Sequence, residues 1–202
     1  NTQLKTTQGF IESSLKMIID ILTDYGFIKN NDDGYPHLLT DKGKIAVNIQ
    51  EVNGMVFGDL LNEKQLNIFT ARELVAIFSC FANISIPKEQ RIQLVTLNLT
   101  TKIMQILYTI QDYYREMEGL ELRYHIDTNE EYSIKYELVL LMLDWCETSN
   151  EEECKKILYK SKQMGISIGE FTKAILKINN IAKEFEKVCV IQGNMELLEQ
   201  IK

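Results

Sequence analysis

The sequence predicts an all-α fold: a bundle of about seven to eight helices with one small β-hairpin near the N-terminus. Three observations carry this. Four Ser or Thr residues are each followed three positions later by Glu and then by an apolar run of helical period: Thr70/Glu73, Thr128/Glu131, Ser149/Glu152 and Ser167/Glu170. In such a capping box each side chain satisfies a backbone N–H that a helix start leaves orphaned. The chain has only two prolines and ten glycines in 202 residues, too few for a loop-rich β protein. Hydrophobic residues make up 45%, enough for one or two domains with real cores.

Taken in order, Phe10 to Tyr25 predicts a helix with Phe10, Leu15, Ile18, Ile19 and Leu22 on one face, ended by Gly26. The hairpin near 27–39 follows: FIK, a turn cluster from Asn30 to Gly34, then YPHLLT, with Pro36 confining the second strand to an edge. Thr40 is the N-cap of a helix from Asp41 to about Val52. Residues 1–52 thus form a winged-helix-like, helix-hairpin-helix opening segment, and 53–202 a helical bundle. In the bundle a short helix covers about Met55 to Asn62. The next starts at Thr70, with Phe69 and Leu74 as a hydrophobic staple, and reaches about Phe81. Pro87 restarts the chain for a long helix from about Lys88 to Glu118, with Leu94, Leu97, Met104, Leu107, Tyr108 and Ile110 on its face. The third capping box opens a helix carrying Tyr136, Leu138, Leu141, Met142 and Trp145, and the fourth one that Met164-Gly165 ends. A helix from Ser167 to the Gly193-Asn194 stop, and a shorter one from Met195, complete the chain.

Net charge is −7, so the average surface repels nucleic acid and anionic membrane. The charge is unevenly spread. Residues 112–153 hold 13 acids and 3 bases, a net of −10, whereas 155–187 hold 8 bases and 3 acids, a net of +5. The basic stretch contains the long helix after Ser167. Its Phe171, Ala174, Ile175, Ile178, Ile181, Ala182, Phe185, Val188 and Cys189 form an apolar face. Opposite, Lys173, Lys177, Asn180, Glu184 and Lys187 fall within roughly an 80° arc at about 100° per residue. Such a stripe is either an ordinary solvated face or a surface presenting cations and an amide to an elongated anion. Pattern alone favours the first.

No catalytic signature is present. There is no phosphate loop of the G-x-x-x-x-G-K-S/T form and no G-x-G-x-x-G. His37 and His125 are far apart, expected on the surface, and without metal-type neighbours, so no metal site is expected. Glu151, Glu152 and Glu153 suit the positive end of a helix dipole. Cys146, beside Trp145, reads as a small buried thiol. Cys80, Cys146, Cys154 and Cys189 show no C-x-x-C spacing and read as reduced thiols of an intracellular protein, cytoplasmic or nuclear. No run approaches the roughly 18 apolar residues of a membrane span, so no membrane partner is expected. The start at Asn1 and end at Lys202 suggest a piece of a larger polypeptide.

Two stretches resemble a known family. Residues 39–81 are similar to the opening of the DSHCT domain, the C-terminal domain of superkiller-type, exosome-associated DExH-box RNA helicases. Leu39, Thr40, Lys42, Gly43, Lys44 and Ala46 match its L-T-x-K-G-R-x-A, with Lys44 for the usual Arg. Phe69, Thr70, Ala76, Ser79, Cys80 and Phe81 answer to its L-T-x-E-x-x-x-A-x-x-S-C-F, with the glutamate one place late at Glu73. In the helix after Ser167, Gly169, Lys173, Lys177, Ile178, Ile181, Gly193 and Asn194 stand at the places of its E-G-x-x-x-R-x-x-x-R-L-x-x-L segment and later G-N. Lysines replace two arginines there, which keeps the charge and loses the bidentate fork. Family members also carry a Trp followed closely by Gly; here Cys146-Glu147-Thr148 follow Trp145.

The resemblance implies a helical bundle packed against two RecA-like motor domains that are absent here and that would supply ATP and Mg chemistry. It implies that helix 168–191 is the ratchet helix lining the path of single-stranded RNA, with Lys173, Lys177 and Asn180 toward the strand. This chain would hold no cofactor and no catalytic residue. The other reading is a non-catalytic helical domain that binds proteins of RNA decay, such as cofactors of the RNA exosome.

Overall fold

The computed structural model describes residues 2–30 and 37–202, with side-chain detail in the first helix from Ile11 onward. The all-α expectation holds: the described residues form nine α-helices and one two-stranded antiparallel hairpin. Helix α1 (Thr2–Asp24) leads into β1 (Ile28–Lys29), which pairs with β2 (Leu38–Leu39). Gly26, at φ +72°, makes the turn out of α1. The expected turn residues 31–34 and Pro36 lie outside the described residues.

Thr40 caps α2 (Asp41–Ala46), its hydroxyl accepting the Gly43 N–H at 3.0 Å. The rest of the L-T-x-K-G stretch is structural as well. Lys42 reaches the Tyr25 carbonyl at 2.7 Å and Asp59 at 2.5 Å, and lies 4.2 Å from the centre of the Phe27 ring. Gly43 passes so close to the hairpin that a Cβ there would collide with the Phe27 carbonyl oxygen. Helix α2 stops at Ala46 rather than near Val52. The Gln50 and Glu51 N–H groups are donated to the Glu184 carboxylate, so they cannot continue an i−4 ladder.

Helices α3 (Gly54–Asn62) and α4 (Ala71–Ser79) fall where the sequence places them, and Thr70 and Glu73 form a complete capping box. The long helix expected from Lys88 is shorter and later: α5 runs Thr101–Tyr124. Before it come two 3₁₀ turns, Lys88–Gln90 and Leu94–Thr96. Leu94 and Leu97, three apart, are both buried by this tighter period. The Thr96 hydroxyl bonds the Gln93 carbonyl at 2.7 Å and so competes with helix continuation. At the other end His125, exposed and at φ +52°, closes α5.

The Thr128/Glu131 pair starts no helix. Thr128 bonds Glu121, Glu131 bonds Ser133, and the Lys135 N–H is donated to the Cys80 carbonyl at 3.0 Å. Residues 126–136 are thereby drawn out along the end of α4, and α6 begins only at Val139, running to Trp145. The fourth start is shifted by one residue: Asn150 caps α7 (Glu151–Gln163), and Glu153 rather than Glu152 takes the Ser149 N–H. Helices α8 (Ile168–Gln192) and α9 (Met195–Ile201) match expectation, with Gly193 at φ +69° between them.

The core is built around α8. Phe171, Ala174, Ile178, Ile181, Phe185, Val188 and Cys189 are buried, and α8 packs on α2, α4, α7 and α9. A chain of aromatic contacts crosses from Phe185 to Phe57, Phe81, Tyr114 and Tyr132. Trp145 stands edge-on to Phe171 at 5.2 Å, tying α6 to α8. Cys80 and Cys189 are buried free thiols. Cys146 is exposed, against the expectation of burial, because it caps the solvent end of α6.

Candidate nucleic-acid interface

The start of α8 is anchored twice. Ser167 and Glu170 form a full capping box, and the second Glu170 oxygen accepts the Ser85 N–H at 3.1 Å. That bond and the Ser167 N–H hold the Glu170 carboxyl below its ordinary pKa of 4.5. A depressed carboxyl stabilises the fold fully above the ordinary value and less as pH falls through the folded one. Melting of the wild type is therefore expected to fall faster than that of Glu170→Gln between about pH 5 and pH 3. Parallel acid profiles would show that Glu170 is not an anchor.

With its apolar face buried, α8 lends Lys173 and Lys177 of its polar stripe to a groove made of two adjoining clefts. They share Asn83, Glu131, Ser133 and Lys135 along their walls. The larger, about 750 Å³, holds Lys173 with Arg91, Gln93 and Tyr108. The smaller, about 230 Å³, holds Lys177 with Gln50 and Glu51. The three residues singled out on α8 do not share one condition. Lys173 is exposed and, among the described residues, makes no ion pair within 4 Å. Lys177 is half-buried and bonds Glu51 at 2.7 Å, while the Asn180 amide donates to the other Glu51 oxygen at 3.2 Å. Glu184, on the same stripe, accepts the Gln50 and Glu51 N–H groups at 2.9 Å each. Lys187 is exposed at the far end.

The two clefts are lined by four cations, Arg91, Lys135, Lys173 and Lys177, and by carboxylates; Lys135 bonds Asn83 at 2.8 Å and pairs with Glu131 at 3.6 Å. Sequence reasoning missed Arg91 and Lys135, because both sit in stretches read as helix. It missed Glu51 for the same reason. Ile45, Ile49 and Val52 keep helical spacing, so the apolar period carries no signal of the turn, and the first local sign is Asn53-Gly54.

The model of the DSHCT (NUC185) domain family matches residues 37–202. The chain belongs to the DSHCT domain family. The domain is found in DExH-box helicases, and it marks this chain as a helicase-associated C-terminal module. No curated protein matches the chain. The matched span includes α2 to α9 and both clefts, while α1 and β1 precede it. No described helix is long and apolar enough to cross a membrane.

Proposed function

We propose that this chain is the strand-contacting helical-bundle module of an ATP-dependent, superfamily 2 RNA helicase of the exosome-associated type. In this reading α8 is the ratchet helix, and Lys173, Lys177 and Asn180 contact the translocating single-stranded RNA. The observation that carries it is the exposed Lys173, which lines the larger cleft together with Arg91 and Lys135. Phosphate contacts of this kind give grip without sequence preference, and an exposed tyrosine such as Tyr108 offers a face on which a base can stack. The motor domains of the same polypeptide supply ATP and Mg; this chain holds neither.

The protein-binding reading has its own support. Ile11 and Leu15 on α1 and Leu122 on α5 expose apolar side chains, with relative exposures of 59%, 55% and 73%. Faces of this kind suit packing against the motor core or an RNA-decay cofactor.

The deciding measurement is fluorescence anisotropy of a labelled single-stranded RNA titrated with the chain at several salt concentrations. Weak binding that fades as salt rises is expected, because few phosphates are contacted and the chain is acidic overall. Absence of binding at low salt would sink the strand reading and leave the protein-binding one. Tight binding that persists in high salt would point to a pocket of another kind.

A further inference from the structure

We infer that Glu51 is a built-in competitor for the strand: its carboxylate sits on Lys177 and Asn180 where a backbone phosphate would sit, and RNA must displace it. This rests on the strand-contacting role proposed for α8. Four contacts support it. Lys177 Nζ lies 2.7 Å from one Glu51 oxygen and Asn180 Nδ2 lies 3.2 Å from the other. A cation and an amide thus converge on one anionic group, as they would on two oxygens of a phosphodiester. The remaining two contacts fix the main chain that carries Glu51. Glu184, one turn further along the same stripe, accepts both the Gln50 and the Glu51 N–H at 2.9 Å.

The division of labour matters. The backbone at 50–51 is clamped to α8 through Glu184, whereas the Glu51 side chain is held, among the described residues, only by the donors it shares with an incoming phosphate. Exchange therefore needs rotation of one side chain and no movement of the loop. Both partners of the Lys177–Glu51 pair remain about 30% exposed, at 30% and 29%, so water and ions reach the pair and its rupture is inexpensive. Lys173, one turn before, makes no ion pair within 4 Å among the described residues; the Glu170 carboxylate, which shares its cleft, is held by the Ser85 and Ser167 N–H groups. The stripe then holds one cation without a direct ion pair and one that opens only when a phosphate arrives. A weak non-specific anion meets Lys173 alone, and a continuous strand engages both.

The test uses the full 202-residue chain, a labelled single-stranded RNA oligomer and the variant Glu51→Gln. Glutamine keeps the shape of the side chain and removes its charge. Affinity at low salt is expected to rise about two- to fivefold, the scale of one exposed ion pair. The slope of log affinity against log salt should steepen by about 0.7, the value for one further phosphate contact on a single strand. Adding Lys177→Ala to Glu51→Gln should abolish both gains, and thermal melts of all three proteins exclude unfolding as the cause. Unchanged or weakened binding by Glu51→Gln, with wild-type binding intact, overturns the competitor role and leaves the strand-contacting role standing. Failure of both wild type and Glu51→Gln to bind RNA overturns both. A gain that survives Lys177→Ala would also refute the inference, since it would reflect net charge rather than this pair.

Discussion

Phe185→Ala is expected to destabilise the bundle by about 3–5 kcal/mol, the usual range for truncating a fully buried phenylalanine. Phe185 has no exposed surface and stands at the crossing of α3, α4 and α8. Its ring centre lies 5.0 Å from that of Phe78, edge-on, and 5.6 Å from that of Phe57. Truncation removes both contacts and leaves a cavity that rigid helices on three sides cannot fill by relaxing. Domains are stable by only about 5–15 kcal/mol, so this one change takes a large share of the total. Ile191→Ala, on the same helix but 52% exposed, should cost about 0.5 kcal/mol or less. Urea unfolding of wild type and both variants measures the difference through the midpoint at constant slope. A loss below about 1 kcal/mol for Phe185→Ala would mean that α8 is not the centre of the core.

That centre was legible because α8 carries every local signal at once. It has a capping box, an apolar stripe of unbroken period and a glycine in the left-handed region at its end. Thr40 and Thr70 were legible for the same reason, since a cap needs only residues within one turn. Thr128/Glu131 failed because the two side chains bond other partners than each other. Glu121 and Ser133 took their hydrogen-bonding capacity, and the Cys80 carbonyl took the Lys135 N–H. A capping box is a local preference, and competing local side-chain bonds together with one long-range backbone bond outweigh it here. The stretch 88–100 misled through its leucines at three-residue spacing, which fits a 3₁₀ turn as well as an α-helix.

The groove was half legible. Periodicity alone puts Lys173, Lys177 and Asn180 on one face. It cannot say what lies opposite them, because Glu51 is more than 120 residues away in sequence, at separations of 126 and 129. The acid that meets Lys177 comes from a loop whose path is set by Glu184, a residue of the same stripe. The stripe is therefore neither a purely solvated face nor a bare row of cations. Part of it fastens the α2–α3 connection to α8, and part faces the open cleft.

Reversing both lysines, Lys173→Glu with Lys177→Glu, is expected to lower affinity for single-stranded RNA about 10- to 100-fold at low salt, since two phosphate contacts are lost and repulsion replaces them. The bundle should stay folded, because the buried face of α8 is untouched. Lys173 is exposed, and its reversal alone should change stability little. Lys177 gives up its pair with Glu51 and meets it as a like charge, worth about 1 kcal/mol in so exposed a setting, or a Tm drop of about 2–4 °C. Net charge is a confounder, because the wild type already stands at −7. Lys156→Glu with Lys162→Glu, both exposed on α7, makes the same change in charge away from the groove. That control should weaken binding about threefold or less, through long-range repulsion that salt screens. The comparison is anisotropy at two salt concentrations on wild type and both double variants, with melting curves alongside. Equal losses for the two variants would show that only net charge matters and that the stripe is solvated surface. Unchanged binding in the groove variant would move the strand elsewhere on the bundle, and the apolar faces of α1 and α5 would then carry the protein-binding reading.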